Sequence, residues 1–128
     1  MDTAMTTIFS LSPSDLLPLL GTTNAPVILD VRRNVAFDAS SQMIASAQRC
    51  APQDVAAWGA ANAALHGKEV VVYCVYGHNV SADACLELRA LGFNARALAG
   101  GIQGGEDGVD TPSDIALWRA TSLPRQAK

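Results

Sequence analysis

Three cysteines, Cys50, Cys74 and Cys85, and two histidines, His66 and His78, are the soft and nucleophilic side chains of this 128-residue chain. An odd number of cysteines without close pairing argues against a disulfide framework. Their spacing to the histidines gives no recognisable zinc site, so neither a metal nor a cofactor is expected. Cys74 stands apart from the other two. It follows the β-branched run Val70-Val71-Val72-Tyr73 and precedes a short loop, Val75-Tyr76-Gly77-His78-Asn79-Val80, that leads into a helical pattern. Backbone N–H groups of a tight loop converge with the unpaired N–H groups of a helix start. A sulfur at that point sits in a positive field that favours its thiolate, and the same field holds an oxyanion beside it. Such a site suits nucleophilic attack on an anionic sulfur, phosphorus or arsenic centre.

The remaining candidates read more plainly. Cys50 and Cys85 are expected in the core, Cys85 sharing a helical stripe with Leu88. A resolving role for Cys85 stays open. His78 is either a hydrogen-bond donor to a bound anion or an exposed loop histidine. His66 reads as a helix-end residue. Ser81 is expected to cap the helix under the loop. Arg33 is a candidate for drawing anions inward, although a solvated arginine is the simpler reading. Tyr76 and Trp58 could line a pocket mouth. Gly100, Gly101, Gly104 and Gly105 are too irregular for a nucleotide-binding fingerprint. Glu106, Asp107, Asp110 and Asp114 read as a solvated acidic loop.

The elements that would position Cys74 follow from apolar periodicity. Thr7 to Phe9 reads as a short edge strand. A helix starts at Ser12-Pro13-Ser14-Asp15, with Ser12 as cap, and stops by Gly21. Val27 to Val31 is a continuous apolar run, the mark of a strand covered on both faces. Asn34 caps a short helix through Phe37, and Ala45 to Arg49 holds a brief strand. A helix runs from Pro52 to about Leu65, then Glu69 to Tyr73 forms a strand that ends at Cys74. The next helix carries Ala82, Cys85, Leu86, Leu88 and Leu91 and is stopped by Gly92. Ala95 to Leu98 is a last strand, and Thr111-Pro112-Ser113-Asp114 opens a last helix through Trp118. Strands alternating with helices predict an α/β fold with a mainly parallel sheet.

Apolar residues make up 49% of the chain and charged ones 16%, which excludes disorder as the default and predicts one domain spanning residues 1–128. Nine basic residues against twelve acidic ones give a net charge of −3, with no basic surplus for nucleic acid or an anionic membrane. Met1 to Ser10 carries no positive charge ahead of its apolar residues, and the run around Val70 to Val72 falls far short of the ~20 residues of a membrane span. Together with free thiols, this predicts a cytoplasmic location.

Three stretches resemble the rhodanese family. Ile28-Leu29-Asp30-Val31-Arg32 is similar to the family's Asp-Val-Arg strand end. Val71-Val72-Tyr73-Cys74-Val75-Tyr76-Gly77-His78 is similar to its catalytic strand and loop. Leu91-Gly92-Phe93 with Leu98-Ala99-Gly100-Gly101-Ile102 is similar to the helix end, strand and glycine pair that follow. In order and spacing they cover a core of about residues 7–120. The resemblance implies a three-layer α/β/α domain with a five-stranded, mainly parallel central sheet. It implies that Cys74 takes sulfane sulfur from thiosulfate or a persulfide donor, holds it as a persulfide, and passes it to cyanide or a thiol. Val75 through Val80 would bind the anion, and Asp30 and Arg32 would orient the strand end behind them.

Two departures stand out. Met43-Ile44-Ala45-Ser46-Ala47 replaces a His-Ile-Pro-Gly-Ala-like stretch, and Asn79 and Val80 stand where many members carry Arg or Ser. A helix starting at Val80 leaves a six-residue loop counted from Cys74, and one starting at Ser81 leaves seven. Seven would suit the oxyanion enzymes on this scaffold, phosphatases and arsenate reductases, except that its last residue is Val80 rather than a cation. A third alternative is a binding or regulatory module that keeps the fold and recruits a partner.

Overall fold

In the computed structural model, residues 9–76, 79–104, 111–121 and 123–128 are described. The elements in chain order are β1 (Ser10–Leu11), α1 (Pro13–Leu16), β2 (Val27–Asp30), α2 (Asn34–Ala39), β3 (Gln42–Ile44), β4 (Gln48–Arg49), α3 (Val55–Ala61), β5 (Glu69–Tyr73), α4 (Asn79–Ala90), β6 (Asn94–Leu98), α5 (Pro112–Ala120) and β7 (Arg125–Ala127). Single turns of 3-10 helix extend α1 and flank α3 on both sides.

Five strands form one all-parallel sheet in the order β1-β6-β5-β2-β4, so β5 is its centre. Strand side chains alternate between faces, and the apolar run of β5 therefore feeds two cores. Val70 and Val72 point into one with Leu29, Val55, Cys85, Leu88 and Phe93. Val71 and Tyr73 point into the other with Ile28, Leu16, Ile44, Leu98 and Leu123. Helices α3 and α4 cover the first face. The second is covered by α1 and by a small antiparallel sheet of β3 and β7, in which Ile44 pairs with Arg125. Each buried valine of β5 contributes about 1.5–3 kcal/mol by leaving water. The three-layer arrangement implied by the family resemblance is present.

Local expectations fared unevenly. Ser12 Oγ accepts from the Asp15 N–H at 3.1 Å, the cap read from Ser12-Pro13-Ser14-Asp15. Asn34 is the first helical residue of α2 rather than its cap, because its carboxamide oxygen accepts from Arg49 at 2.9 Å. That helix runs to Ala39, past Phe37. Of the brief strand expected at Ala45 to Arg49 only Gln48–Arg49 forms, as β4; a turn in which Ser46 takes a φ of 71° separates it from β3, which ends at Ile44. The edge strand is Ser10–Leu11, and Thr7 and Ile8 lie outside the described residues. So do Gly105 of the glycine cluster and Glu106, Asp107 and Asp110 of the acidic loop. The last strand, β7, has no counterpart in the sequence reading: Arg-Gln-Ala carries neither apolar alternation nor β-branched residues, and all three are exposed. Among the described residues no helix is long and apolar enough to cross a membrane.

Candidate active site

The chain leaves β2 towards β4 and leaves β5 towards β6, in opposite directions along the sheet. Neighbouring parallel strands that part in this way open a crevice beyond their carboxyl ends. Cys74 follows β5 at that crevice and Asp30 ends β2 beside it, with Asp30 and Tyr73 paired in register. The Cys74 side chain is 7% exposed, and its Sγ lies 3.3 Å from the Ser81 Oγ, which is fully buried. The thiol donates to that hydroxyl. Because a hydroxyl hydrogen rotates, the same Ser81 can donate back once the sulfur carries a charge. Ser81 is the third helical residue of α4, so it is not the helix cap expected from sequence.

Backbone geometry accounts for the loop. The Cys74 carbonyl accepts from the Ile102 N–H at 3.0 Å and the Val75 carbonyl from the Gln103 N–H at 2.9 Å. The described peptides are all trans, and in a trans peptide the N–H opposes the carbonyl. With both carbonyls turned onto residues 102 and 103, the N–H groups of Val75 and Tyr76 point the other way. Gly101 permits this approach. A Cβ there would lie 2.3 Å from the Cys74 carbonyl oxygen, and its φ of 58° already favours glycine. On the far side of the same turn, Cβ atoms at Gly100 and Gly104 would lie 2.7 Å and 2.4 Å from the Trp118 indole.

Helix α4 begins at Asn79, which leaves five residues, Cys74 to His78, before it. That is shorter than either length weighed from sequence, since Asn79 and Val80 are helical. Gly77 and His78 fall outside the described residues, as does the side chain of Asn79. Val75 is half-buried, Tyr76 is exposed, and Val80 packs against the α4 core.

Asp30 and Arg32 form a buried knot beside the crevice. Arg32 places Nε and Nη2 on the Asp30 carboxylate, the latter at 2.6 Å, and reaches the Gln42 carbonyl at 2.9 Å. Tyr73 donates to Asp30 Oδ2 at 2.8 Å and accepts from the Ile44 N–H at 3.0 Å. Burial, aided by the Asp30 charge, holds the Tyr73 phenol protonated far above its ordinary range. Arg49 adds a bond to the Asp30 carbonyl at 3.0 Å and stacks 4.2 Å from the Phe37 ring centre. With its carboxylate saturated, Asp30 acts on strand geometry. Tyr73 and Arg49 were missed in the sequence; the available signal was a tyrosine closing a buried strand, whose hydroxyl must find a partner.

The other cysteines are core residues. Burial pushes the Cys50 and Cys85 thiols up, and the Cys85 Sγ rests 3.3 Å from the Ala95 carbonyl. Among the described residues no group of three or more histidine, cysteine or acidic side chains could hold a metal ion. His66 packs edge-on against Phe93, and Trp58 tilts on the same ring at 5.5 Å, an ordinary core contact. Arg33 is exposed.

Residues 12–107 match the rhodanese-like domain family. A full-length protein from Lactobacillus plantarum superposes with a TM-score of 0.75 at 23% identity, covering 98% of this chain and 93% of its own. A rhodanese-related protein from Thermoplasma volcanium gives 0.63 at 23% identity, covering 93% and 98%. A Rhodopseudomonas palustris protein of unknown function, described as a possible tyrosine phosphatase, gives 0.67 at 19% identity, covering 98% and 94%. Among curated proteins none matches.

Proposed function

Because this chain belongs to the rhodanese-like domain family, we propose that it is a sulfurtransferase carrying sulfane sulfur on Cys74. The observation that carries the reading is the placement of the Cys74 sulfur beyond the central strand, 3.3 Å from the buried Ser81 hydroxyl. The paired turning of the Cys74 and Val75 carbonyls supports it, since the opposed N–H groups form the start of an anion cradle. The Cys74 thiolate attacks the outer sulfur of thiosulfate. A new S–S bond forms, the S–S bond of thiosulfate breaks, and sulfite leaves with the electron pair. Cyanide then attacks the outer sulfur of the persulfide to give thiocyanate and return the thiolate. A thiolate acceptor takes the sulfur in the same way and becomes a persulfide itself. The partners are thus a small anionic sulfur donor and a thiol or cyanide acceptor. Three reduced cysteines suit the cytoplasm, where thiols persist.

Incubation with thiosulfate followed by intact mass tests the assignment. Wild type gains one sulfur atom and Cys74→Ser gains none; equal gain in both removes Cys74 from the reaction.

The Rhodopseudomonas neighbour favours a second reading, an oxyanion enzyme such as a phosphatase or arsenate reductase. Phosphoryl transfer calls for cationic stabilisation of the equatorial oxygens, and the segment from Cys74 to Val80 contains no arginine or lysine. Sulfur transfer therefore stays ahead. Turnover of phosphate esters or arsenate by wild type but not Cys74→Ser would reverse that order. A module that only recruits partners would show neither activity.

A further inference from the structure

The loop from Cys74 to Val80 contains no arginine or lysine, yet a guanidinium is attached to it from behind. Arg125, in β7, donates from Nη2 to the Ile102 carbonyl at 2.7 Å. That carbonyl shares a peptide group with the Gln103 N–H, which donates to the Val75 carbonyl at 2.9 Å. The Val75 carbonyl in turn shares a peptide group with the Tyr76 N–H, which has no hydrogen-bond partner among the described residues. Guanidinium, peptide 102–103 and peptide 75–76 stand in series, each donating to the next. Hydrogen bonds in series polarise one another, and a full charge at the head strengthens the positive end of every dipole after it.

Arg125 is fixed for this task. Its strand pairs with β3, where Ile44 sits opposite it in register, and the Ile44 N–H is bound by the Tyr73 hydroxyl one residue before Cys74. The guanidinium also faces the Trp118 ring at 6.0 Å, the indole that the Gly100–Gly104 turn wraps. Among the described residues no carboxylate pairs with Arg125, so its charge is not cancelled locally. Residue 125 also lies beyond the stretch that matches the family.

We infer that Arg125 is a positioning residue that makes the Tyr76 end of the loop more attractive to anionic reagents through two intervening peptide groups. The inference deepens the sulfurtransferase reading by assigning anionic donors a preference over neutral ones.

Alkylation of Cys74 by iodoacetate and by iodoacetamide, followed by peptide mass, reads the local field without requiring sulfur transfer. At low ionic strength Arg125→Gln, which keeps a donor but loses the charge, lowers the iodoacetate-to-iodoacetamide rate ratio roughly threefold. Arg125→Lys keeps the wild-type ratio. The same ratio in wild type falls as salt rises from about 0.01 M to about 1 M, measured against mercaptoethanol as a free-thiol control. An unchanged ratio in Arg125→Gln, an equal loss in Arg125→Lys, or no salt effect beyond the control overturns the inference. A wild type that takes no sulfur from thiosulfate yet keeps the charge-dependent ratio refutes the sulfurtransferase reading alone.

Discussion

Among the described residues, the Cys74 sulfur has a hydroxyl as its hydrogen-bond partner. Ser81 is fully buried and its Oγ is 3.3 Å from the Cys74 Sγ, so a charge on that sulfur meets a donor that water cannot replace. A hydrogen bond of this kind is worth about 1 kcal/mol or somewhat more when one partner is charged. Ser81→Ala should therefore slow sulfur uptake from thiosulfate roughly fivefold while the thermal midpoint stays near wild type. An unchanged rate would show that the hydroxyl does not hold the reacting sulfur. The position of Cys74 at the end of the central strand was legible in the sequence, because a β-branched strand, a cysteine and a glycine-containing loop leave few other geometries. The Ser81 contact was not. It depends on where the helix begins, and Asn79 tolerates helical backbone well enough to bring that start forward by one or two residues.

Among the connecting elements, the turn from Gly100 to Gly104 does the most to set the loop. It presents two N–H groups to the Cys74 and Val75 carbonyls and lies against an indole on its other side. Gly101→Ala puts a methyl group into the Cys74 carbonyl at a positive φ, at a cost of about 1–3 kcal/mol from backbone strain before the clash is added. Its thermal midpoint should drop by roughly 5–10 °C and its sulfur uptake at least tenfold. Gly21→Ala is the control. Its φ of 76° is equally strained, yet nothing lies within 4 Å of the added methyl, so uptake stays at the wild-type rate. Uptake surviving in Gly101→Ala would mean that the turn only covers the loop. The glycines were visible in the sequence, but as an irregular cluster; their meaning lies in residues 74, 75 and 118, which no local pattern connects to them.

For the molecule as a whole, the alternation of apolar and helical runs was enough to predict the parallel sheet, and the observed β2, β5 and β6 agree with it closely. The small β3–β7 sheet escaped because exposed short strands carry no periodicity; tertiary pairing alone defines them. The buried titratable groups have a collective effect on stability. Cys50 and Cys85 are pushed above the ordinary thiol value of 9.0, and Tyr73 far above 10.0, chiefly by burial. The folded state thus keeps these protons to higher pH than the unfolded chain does. Their contribution is complete below the unfolded values and is lost as pH rises through the folded ones. Urea midpoints should be level from about pH 7 to 8 and fall above about pH 9, and Cys85→Ala should fall less steeply. A midpoint that rises across that range would contradict the burial of these groups.

The stitch between β3 and β7 carries a consequence for the order of assembly. The Ser46 N–H is bound by the Gln126 side chain across 80 residues of sequence, whereas every strand of the central sheet is complete by Leu98. During synthesis the sheet can close before β7, which follows it in the chain, has emerged. The Ile102 carbonyl meets Arg125, and Ile44 its strand partner, only after that. Long-range pairings of this kind are the slowest to form, because chain entropy is lost before any contact repays it. Cys74 is therefore seated at the end of its strand early in the life of the chain, and the β3–β7 pairing behind its loop forms later.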